Sequence, residues 1–331
     1  MSPDFHRRLT IFKRNRRAVV ALWTMAFMLF AGLGAELISN SAPIIANING
    51  QTIFPAYIEY DRESLGLEGA GVVDYRELNS QFSWSVWPPL KWDPFEIDGE
   101  QMEYLAPPSA AHIMGTDVAG RDVFARLLFG TRISLLFGVG FWIITYIVGT
   151  TVGLFMGFVG GSVDLYGQRL MEIFGSIPSL MLLLFIASVM TPGPVLLCLF
   201  VCLFGWMGIA QFMRSEALRN RSLTFTEAAV SLGAGRPRLL FTHVLPNSLV
   251  PIITFSPAAV IGGIYTLASL DFLGFGVPPP TPSWGELMDQ ARVNYQVAWW
   301  LAVFPSLFLF VTIVCLNFIG ESVRKAFDPR A

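Results

Sequence analysis

Charge in this chain falls in islands, and the uncharged stretches between them decide what it can fold into. No Asp, Glu, Lys or Arg occurs in Ala18 to Ala35, Ile133 to Val163, Ile173 to Met213, Leu239 to Leu270 or Val293 to Gly320. A bilayer core of about 30 Å takes roughly 20 helical residues to cross, and a helix suits that medium because it satisfies its own backbone hydrogen bonds. Four of the stretches supply one span each. The stretch from Ile173 to Met213 is broken at Thr191-Pro192-Gly193-Pro194, a turn signal that divides it into two. The result is six spans. With 53% hydrophobic and only 14% charged residues, a soluble fold would lack the polar residues to cover itself.

Basic residues beside spans stay in the cytoplasm. Arg7, Arg8, Lys13, Arg14, Arg16 and Arg17 therefore place the N-terminus inside. Six crossings return the C-terminus to the same side, where Arg324, Lys325 and Arg330 agree, and the loop from Arg214 to Arg238 with its five Arg also falls inside. The acidic segment from Ser39 to about Arg132 falls outside. A basic start followed by an apolar stretch also begins a signal peptide, but Ala18 to Ala35 exceeds the usual apolar region of about 7 to 15 residues, so the first span is read as an uncleaved anchor. Cys198, Cys202 and Cys315 all lie in spans and read as packing residues.

Four regions follow: a basic tail with helix 1 over 1–38, a periplasmic cap and surface helix over 39–131, a core of five spans over 132–321, and a tail over 322–331. The cap, with Trp84, Trp87, Pro88, Pro89 and Trp92 and no helical period, reads as irregular or partly β-structured. It ends in His112-Ile113-Met114-Gly115-Thr116-Asp117-Val118-Ala119-Gly120-Arg121-Asp122, then Val123, Phe124, Leu127 and Leu128 at helical spacing. Thr116 or Asp117 is the expected cap, and the apolar stripe suggests a helix lying on the membrane before it enters.

Several chemistries are excluded. The lysines are Lys13, Lys91 and Lys325, none after a glycine, so no phosphate-binding Gly-Lys-Ser/Thr loop exists. His6, His112 and His243 form no His-Glu-x-x-His pair, Cys198 and Cys202 lack Cys-x-x-Cys spacing, and no Gly-x-Ser-x-Gly elbow occurs. A net charge of −2 argues against a nucleic-acid partner.

The inner loop, 214–246, carries the most information. It contains Glu227-Ala228-Ala229-Val230-Ser231-Leu232-Gly233, nine residues, then His243-Val244-Leu245-Pro246-Asn247. The expected form is two short helices around a turn, the first small and apolar along Ala228, Ala229 and Leu232. Gly233 can end it in a left-handed conformation. Pro237 suits the first turn of the second helix, and Pro246 begins the next span. Composition alone describes an ordinary cytoplasmic loop. The spacing resembles the Glu-Ala-Ala loop of binding-protein-dependent ABC importer permeases, Glu-Ala-Ala-x3-Gly-x9-Ile-x-Leu-Pro. His243 stands at the Ile position, a variant common in the oligopeptide and dipeptide branch, as is the following Leu-Pro-Asn.

The stretch from His112 to Ser134, and Ser269-Leu270-Asp271-Phe272-Leu273-Gly274-Phe275-Gly276 with Pro280-Thr281-Pro282-Ser283-Trp284-Gly285, resemble the C-type subunit of that branch. The long cap and the ending Gly320 to Pro329 resemble its microcin C type. The resemblance implies an all-α membrane protein with the type I, MetI-like permease fold and an external cap between helices 1 and 2. It also implies a bacterial inner-membrane protein with both termini cytoplasmic, itself without enzymatic activity or cofactor. Its partners would be a homologous second permease, ABC ATPase subunits carrying two nucleotide-binding domains with ATP and Mg, and a periplasmic peptide-binding protein delivering peptide. Glu227, Ala228, Ala229, Leu232, Gly233, His243, Leu245 and Pro246 would form the ATPase-docking loop.

Glu36, Arg169 and Glu172 lie near span ends, where Arg169 and Glu172 can pair on one helix face. Asp271 either faces the pathway or caps a helix end. His112, Asp117, Arg121 and Asp122 read as a hydrogen-bonded entrance to a helix rather than a metal site. Glycines 149, 153, 157, 160 and 161 read as positions of close helix contact. Two other classes compete: a self-sufficient secondary transporter or channel, which needs ion sites near the midplane, and a membrane hydrolase. The central stretches lack acids, the three histidines are too few for a hydrolase, and neither class explains the inner loop.

Overall fold

Long apolar stretches become long helices in the computed structural model, which describes residues 3–66, 73–97, 104–235 and 238–327. Helix α1 (Pro3–Arg14) turns at Asn15 into α2 (Arg16–Leu33), followed by the short α3 (Ala35–Ile38). Strands β1 (Ile45–Ile48), β2 (Gln51–Ile53) and β3 (Trp84–Val86) come next, then α4 (Val123–Val159), α5 (Gly161–Gly175), α6 (Ser179–Val189) and α7 (Pro194–Arg221). After α8 (Thr224–Ser231), a π-helical turn at Leu239–Val244 runs directly into α9 (Leu245–Phe272), and α10 (Trp284–Asn294) and α11 (Trp299–Phe327) complete the chain.

Among the described residues five helices are long and apolar enough to cross a membrane: α2, α4, α7, α9 from Ile252, and α11. The pair α5 and α6, bent by 61°, makes a sixth if it counts as one broken span. The break holds Pro178, which has no N–H to continue the helical ladder. Helix α4 differs from expectation. It begins at Val123 and continues without a break through its 37 residues, so among the described residues no separate helix stands between the cap and α4. Val123 and Leu127 are fully buried by protein, which is where the apolar stripe goes.

The chain forms two compact units, one of residues 1–25, 135–278 and 310–331, the other of 26–134 and 279–309. The second contains an antiparallel sheet in the order β2-β1-β3, paired Ala46 to Ile53 and Ala46 to Ser85. The sheet packs on a small apolar cluster of Ala46, Ile48, Ile53, Leu65, Val73 and Leu78.

Buried charge organises the rest of this unit. Asp122, not Thr116 or Asp117, caps α4: its Oδ1 accepts from Ala125 N at 2.8 Å, while Oδ2 lies 2.9 Å from His112 Nδ1. The reason is distance, since only the residue just before Val123 reaches the free N–H groups of the first turn. Asp117 instead accepts from Ala119 N and Arg121 N at 2.9 Å and pairs with the Arg121 guanidinium at 2.7 Å. Arg126, unremarked in the sequence, is fully buried and central. It donates to Pro94 O at 2.9 Å and Pro280 O at 3.2 Å, meets Glu286 at 2.8 Å and lies 3.3 Å from Asp117. Glu286 follows Ser283, whose hydroxyl caps α10 by accepting from Glu286 N. Gly115, at φ +77°, sits where an added Cβ would be 2.8 Å from Trp300 Nε1, and that indole donates to Thr116 O at 3.0 Å. Glu36 also has its partner here, Arg132 at 2.7 Å.

In the first unit α4 and α7 approach to backbone contact. A Cβ at Gly149 would stand 2.6 Å from Trp206 O, at Gly153 2.2 Å from Ala210 O, and at Gly157 2.4 Å from Arg214 O. This is the close contact expected of small residues between membrane helices. Gly160 and Gly161 serve otherwise: with φ of +69° and +57° they form the corner between α4 and α5. Arg169 and Glu172 pair at 2.6 Å on the exposed side of α5. Asp271 closes a turn, its Oδ1 accepting from Val277 N at 2.8 Å.

Replacing Gly153 with valine should destabilise the detergent-solubilised protein by about 2 kcal/mol or more, because neither facing backbone can retreat. Gly208→Ala, where an added Cβ meets nothing, should stay within about 0.5 kcal/mol, and thermal unfolding of both compares them. In the other unit, Arg126→Met should cost about 3 kcal/mol, because Glu286 loses its 2.8 Å partner while Asp117 keeps Arg121, read as a lowered Tm.

Candidate coupling site after α7

Helix α7 extends to Arg221, so the inner loop proper is shorter than its charge pattern suggested, and α8 rises from it after a turn at Ser222. Arg214 forks onto Asp164 of α5 through Nε and through Nη2, the latter at 2.7 Å from Oδ2. Arg221 donates to Phe158 O at 3.3 Å, satisfying a carbonyl that the end of α4 leaves open. The base of the loop is thus tied to two neighbouring helices.

Three buried polar side chains then fix α8. Thr226 Oγ1 donates to Asn220 O at 2.7 Å, Asn220 Nδ2 donates to Ser248 Oγ at 2.9 Å, and Ser248 Oγ donates to Val244 O at 2.8 Å. Each of these residues is at most 2% exposed. The relay joins the end of α7, the start of α8 and the first turn of α9, and its burial makes every bond costly to lose. Motif reading missed it, because Asn220, Thr226 and Ser248 are common residues at no diagnostic spacing.

Helix α8 ends as the glycine predicts. Gly233 has φ +81°, and Ala234 N donates back to Ala229 O at 3.0 Å, the six-to-one bond of a Schellman termination. Leu232, at 88% exposed, stands out from this end. Glu227 and Ala228 are also exposed, and Ala229 is half-buried. Glu227 borders a cleft of about 590 Å³ shared with Phe158, Arg221 and Thr226.

A second short helix is not separate. Leu239–Val244 is a π-helical turn continuous with α9, and Pro237 lies outside the described residues. Pro246, in the first turn of α9, supplies a reason: it cannot donate a backbone hydrogen bond, and its ring displaces the carbonyl one turn back, which favours a widened turn. His243 is half-buried, its ring centre 6.4 Å from that of Phe225. Leu245 packs around Val244 with Met213 and Ala217 of α7, while Pro246 is exposed. Glu227, Ala228, Leu232 and Gly233 therefore share the exposed end of α8, whereas His243 meets its Phe225 and Leu245 packs toward α7. Among the described residues no group of three or more His, Cys, Asp or Glu could hold a metal ion.

The described residues thus place several apolar helices beside an exposed, glycine-ended helix held by a buried relay. Residues 149–331 match the family of binding-protein-dependent transport system inner membrane components, and the chain belongs to it. Within that family it is an ABC importer permease of the peptide type. It is 37% identical over 99% of its length to the peptidoglycan transport system permease protein YejE of Agrobacterium fabrum, covering 94% of that protein. Against the inner membrane ABC transporter permease protein YejE of Escherichia coli the figures are 37%, 99% and 98%. The oligopeptide transport system permease protein OppC of Haemophilus influenzae is 33% identical over 71% of this chain and 76% of its own length. In fold, a chain of the inward-facing MetNI methionine ABC transporter superposes with a TM-score of 0.52 at 17% identity, covering 62% of this chain and 97% of that one. The core is therefore the MetI-like permease fold.

Replacing Thr226 with valine should free α8. We expect a loss of about 0.5–1.5 kcal/mol from the lost hydrogen bond to the Asn220 carbonyl, with faster amide hydrogen exchange confined to Thr224–Ser231. Unchanged exchange there would show that the relay does not hold the helix.

Proposed function

We propose that this chain forms half of the membrane pathway of a peptide importer and that α8 is the lever by which separate ATPase subunits move it. The other half comes from a homologous permease, and a periplasmic binding protein delivers the solute from outside. Both termini and the α8 loop face the cytoplasm, as the distribution of Lys and Arg supports. ATP binding would draw the ATPases together, displace α8 and open the outer side, with release inward after hydrolysis. The observation that carries this reading is the end of α8: small side chains at Ala228 and Ala229, Leu232 in solvent and a stop at Gly233, on a base too firmly bonded to yield separately.

Peptides are the substrate class that the peptide-permease relatives support. Within it, the long segment between α3 and α4 and the wording of 269–276 favour peptide-like antibiotics of the microcin C type. A second reading, peptides derived from peptidoglycan, is favoured by the name of the Agrobacterium relative. Competition between a labelled oligopeptide and either compound separates the two. A self-sufficient secondary transporter would need no ATPase at all.

The test uses the assembled transporter in vesicles. Leu232→Asp should leave stability unchanged, since the side chain is 88% exposed, yet reduce ATP-dependent uptake at least about tenfold, as the loss of a central contact does. Gly233→Arg, which forces a side chain into φ +81°, should do the same and weaken ATPase co-purification. Undiminished uptake by both variants in assembled transporters would overturn the docking role.

A further inference from the structure

Where α1 turns into α2, the chain gathers positive charge that nothing described so far uses. Arg14, Arg16 and Arg17 border a cleft of about 510 Å³ that continues across Ile11, Asn15 and Phe318 to Glu321 and Lys325 of α11. The single residue Asn15 makes the corner: its N–H donates to Phe12 O, and its carbonyl accepts from Val19 N, both at 3.1 Å. The other wall is held by stacking, with the Arg8 guanidinium 4.3 Å above the Phe327 ring. The cleft is thus built between two helices rather than left by a loose tail.

The charge in it is uneven. Glu321 is taken by Lys325 at 2.6 Å, and Arg17 bears on it only through space. Among the described residues no ion pair or side-chain hydrogen bond engages Arg14, Arg16 or Arg17, and all three are exposed. Like charges gathered on a corner repel weakly in solvent, and an anion among them relieves that repulsion. Depth says which anion. Arg16 and Arg17 immediately precede the uncharged stretch that opens at Ala18, which is the level of lipid phosphates for a spanning helix. Ile11 and Phe318 meanwhile offer an apolar floor for the start of acyl chains. A soluble acidic protein would find neither that floor nor that depth.

We propose that this corner binds the phosphodiester headgroup of an anionic phospholipid, with Arg14, Arg16 and Arg17 as its donors and the Glu321–Lys325 pair setting its affinity. The assignment to the cytoplasmic leaflet rests on the orientation proposed above, but the binding itself does not. Glu321 competes with the phosphate for Lys325, so removing its charge strengthens the site, whereas removing the arginines empties it.

The assembled transporter, delipidated in detergent, would be titrated with phosphatidylglycerol and phosphatidylcholine and bound lipid counted by native mass spectrometry. Phosphatidylglycerol should be retained and phosphatidylcholine not, and millimolar inorganic phosphate should not displace it. Arg14→Gln/Arg16→Gln/Arg17→Gln should weaken retention by about tenfold or more, and Glu321→Gln should strengthen it severalfold. The second variant leaves the N-terminal charges intact, so it holds even if the triple variant inserts poorly. Equal retention of both lipids, or no response to either variant, would overturn the proposal. Displacement by inorganic phosphate would assign the site to a soluble anion. Protection of Arg14→Cys from labelling only when the ATPase is present, without lipid preference, would assign it to a protein surface instead. Accessibility of Ser2→Cys to an impermeant reagent tests the orientation separately.

Discussion

The approach of α4 to α7 governs the membrane core. Three glycines one helical turn apart let the two backbones touch, and a methyl group at any of them would meet a facing carbonyl at 2.6 Å or less. Without water to drive helices together, such contact and its dispersion energy are the main sources of cohesion in a bilayer. The seam also places α7, and α7 carries what lies below it: Arg214 reaches Asp164, Arg221 reaches the end of α4, and Asn220 holds Ser248 while its carbonyl receives Thr226. The position of α8 is therefore inherited from glycines more than sixty residues earlier in the chain.

The unit with the sheet is ordered on a different principle. Its apolar core under β1 to β3 is small, and its most buried large polar residue is Arg126. Three acceptors take that guanidinium's N–H groups, on Pro94, Pro280 and Glu286, and the Asp117 carboxylate lies 3.3 Å away. A buried ion network adds little stability compared with an apolar core of equal volume, but it tolerates few alternative arrangements. That suits a segment rich in Pro and irregular backbone, where hydrophobic packing alone would permit several.

How far the sequence revealed this depends on the range of the interactions. Spans were legible because each is a local property of composition, and the glycine ending α8 because left-handed backbone is a local need. The Arg169–Glu172 pair was legible for the same reason, three residues apart on one face. Thr226 and Asn220 are six residues apart, yet a bend intervenes, and Asn220 meets Ser248 across 28 residues. Arg126 meets Glu286 across 160. Neither spacing has a period, so the residues that seat the loop and the network around Arg126 emerged only with the fold. The continuity of α4 was hidden because an apolar stripe buried by protein and one laid on lipid read alike.

The π-helical turn at Leu239–Val244 has a geometric consequence of its own. Relative to an α-helix, a π turn admits one extra residue, and in an α-helix one residue is about 100° of rotation. Everything downstream on α9 therefore presents a face set by that turn, from Ser248 beneath α8 to Ile264 beside Gly138. Tightening the turn to ordinary α geometry would act like a screw, changing which side of the span looks toward its neighbours while hardly altering its length. A short stretch beside α8 thus holds the angular setting of a whole transmembrane segment.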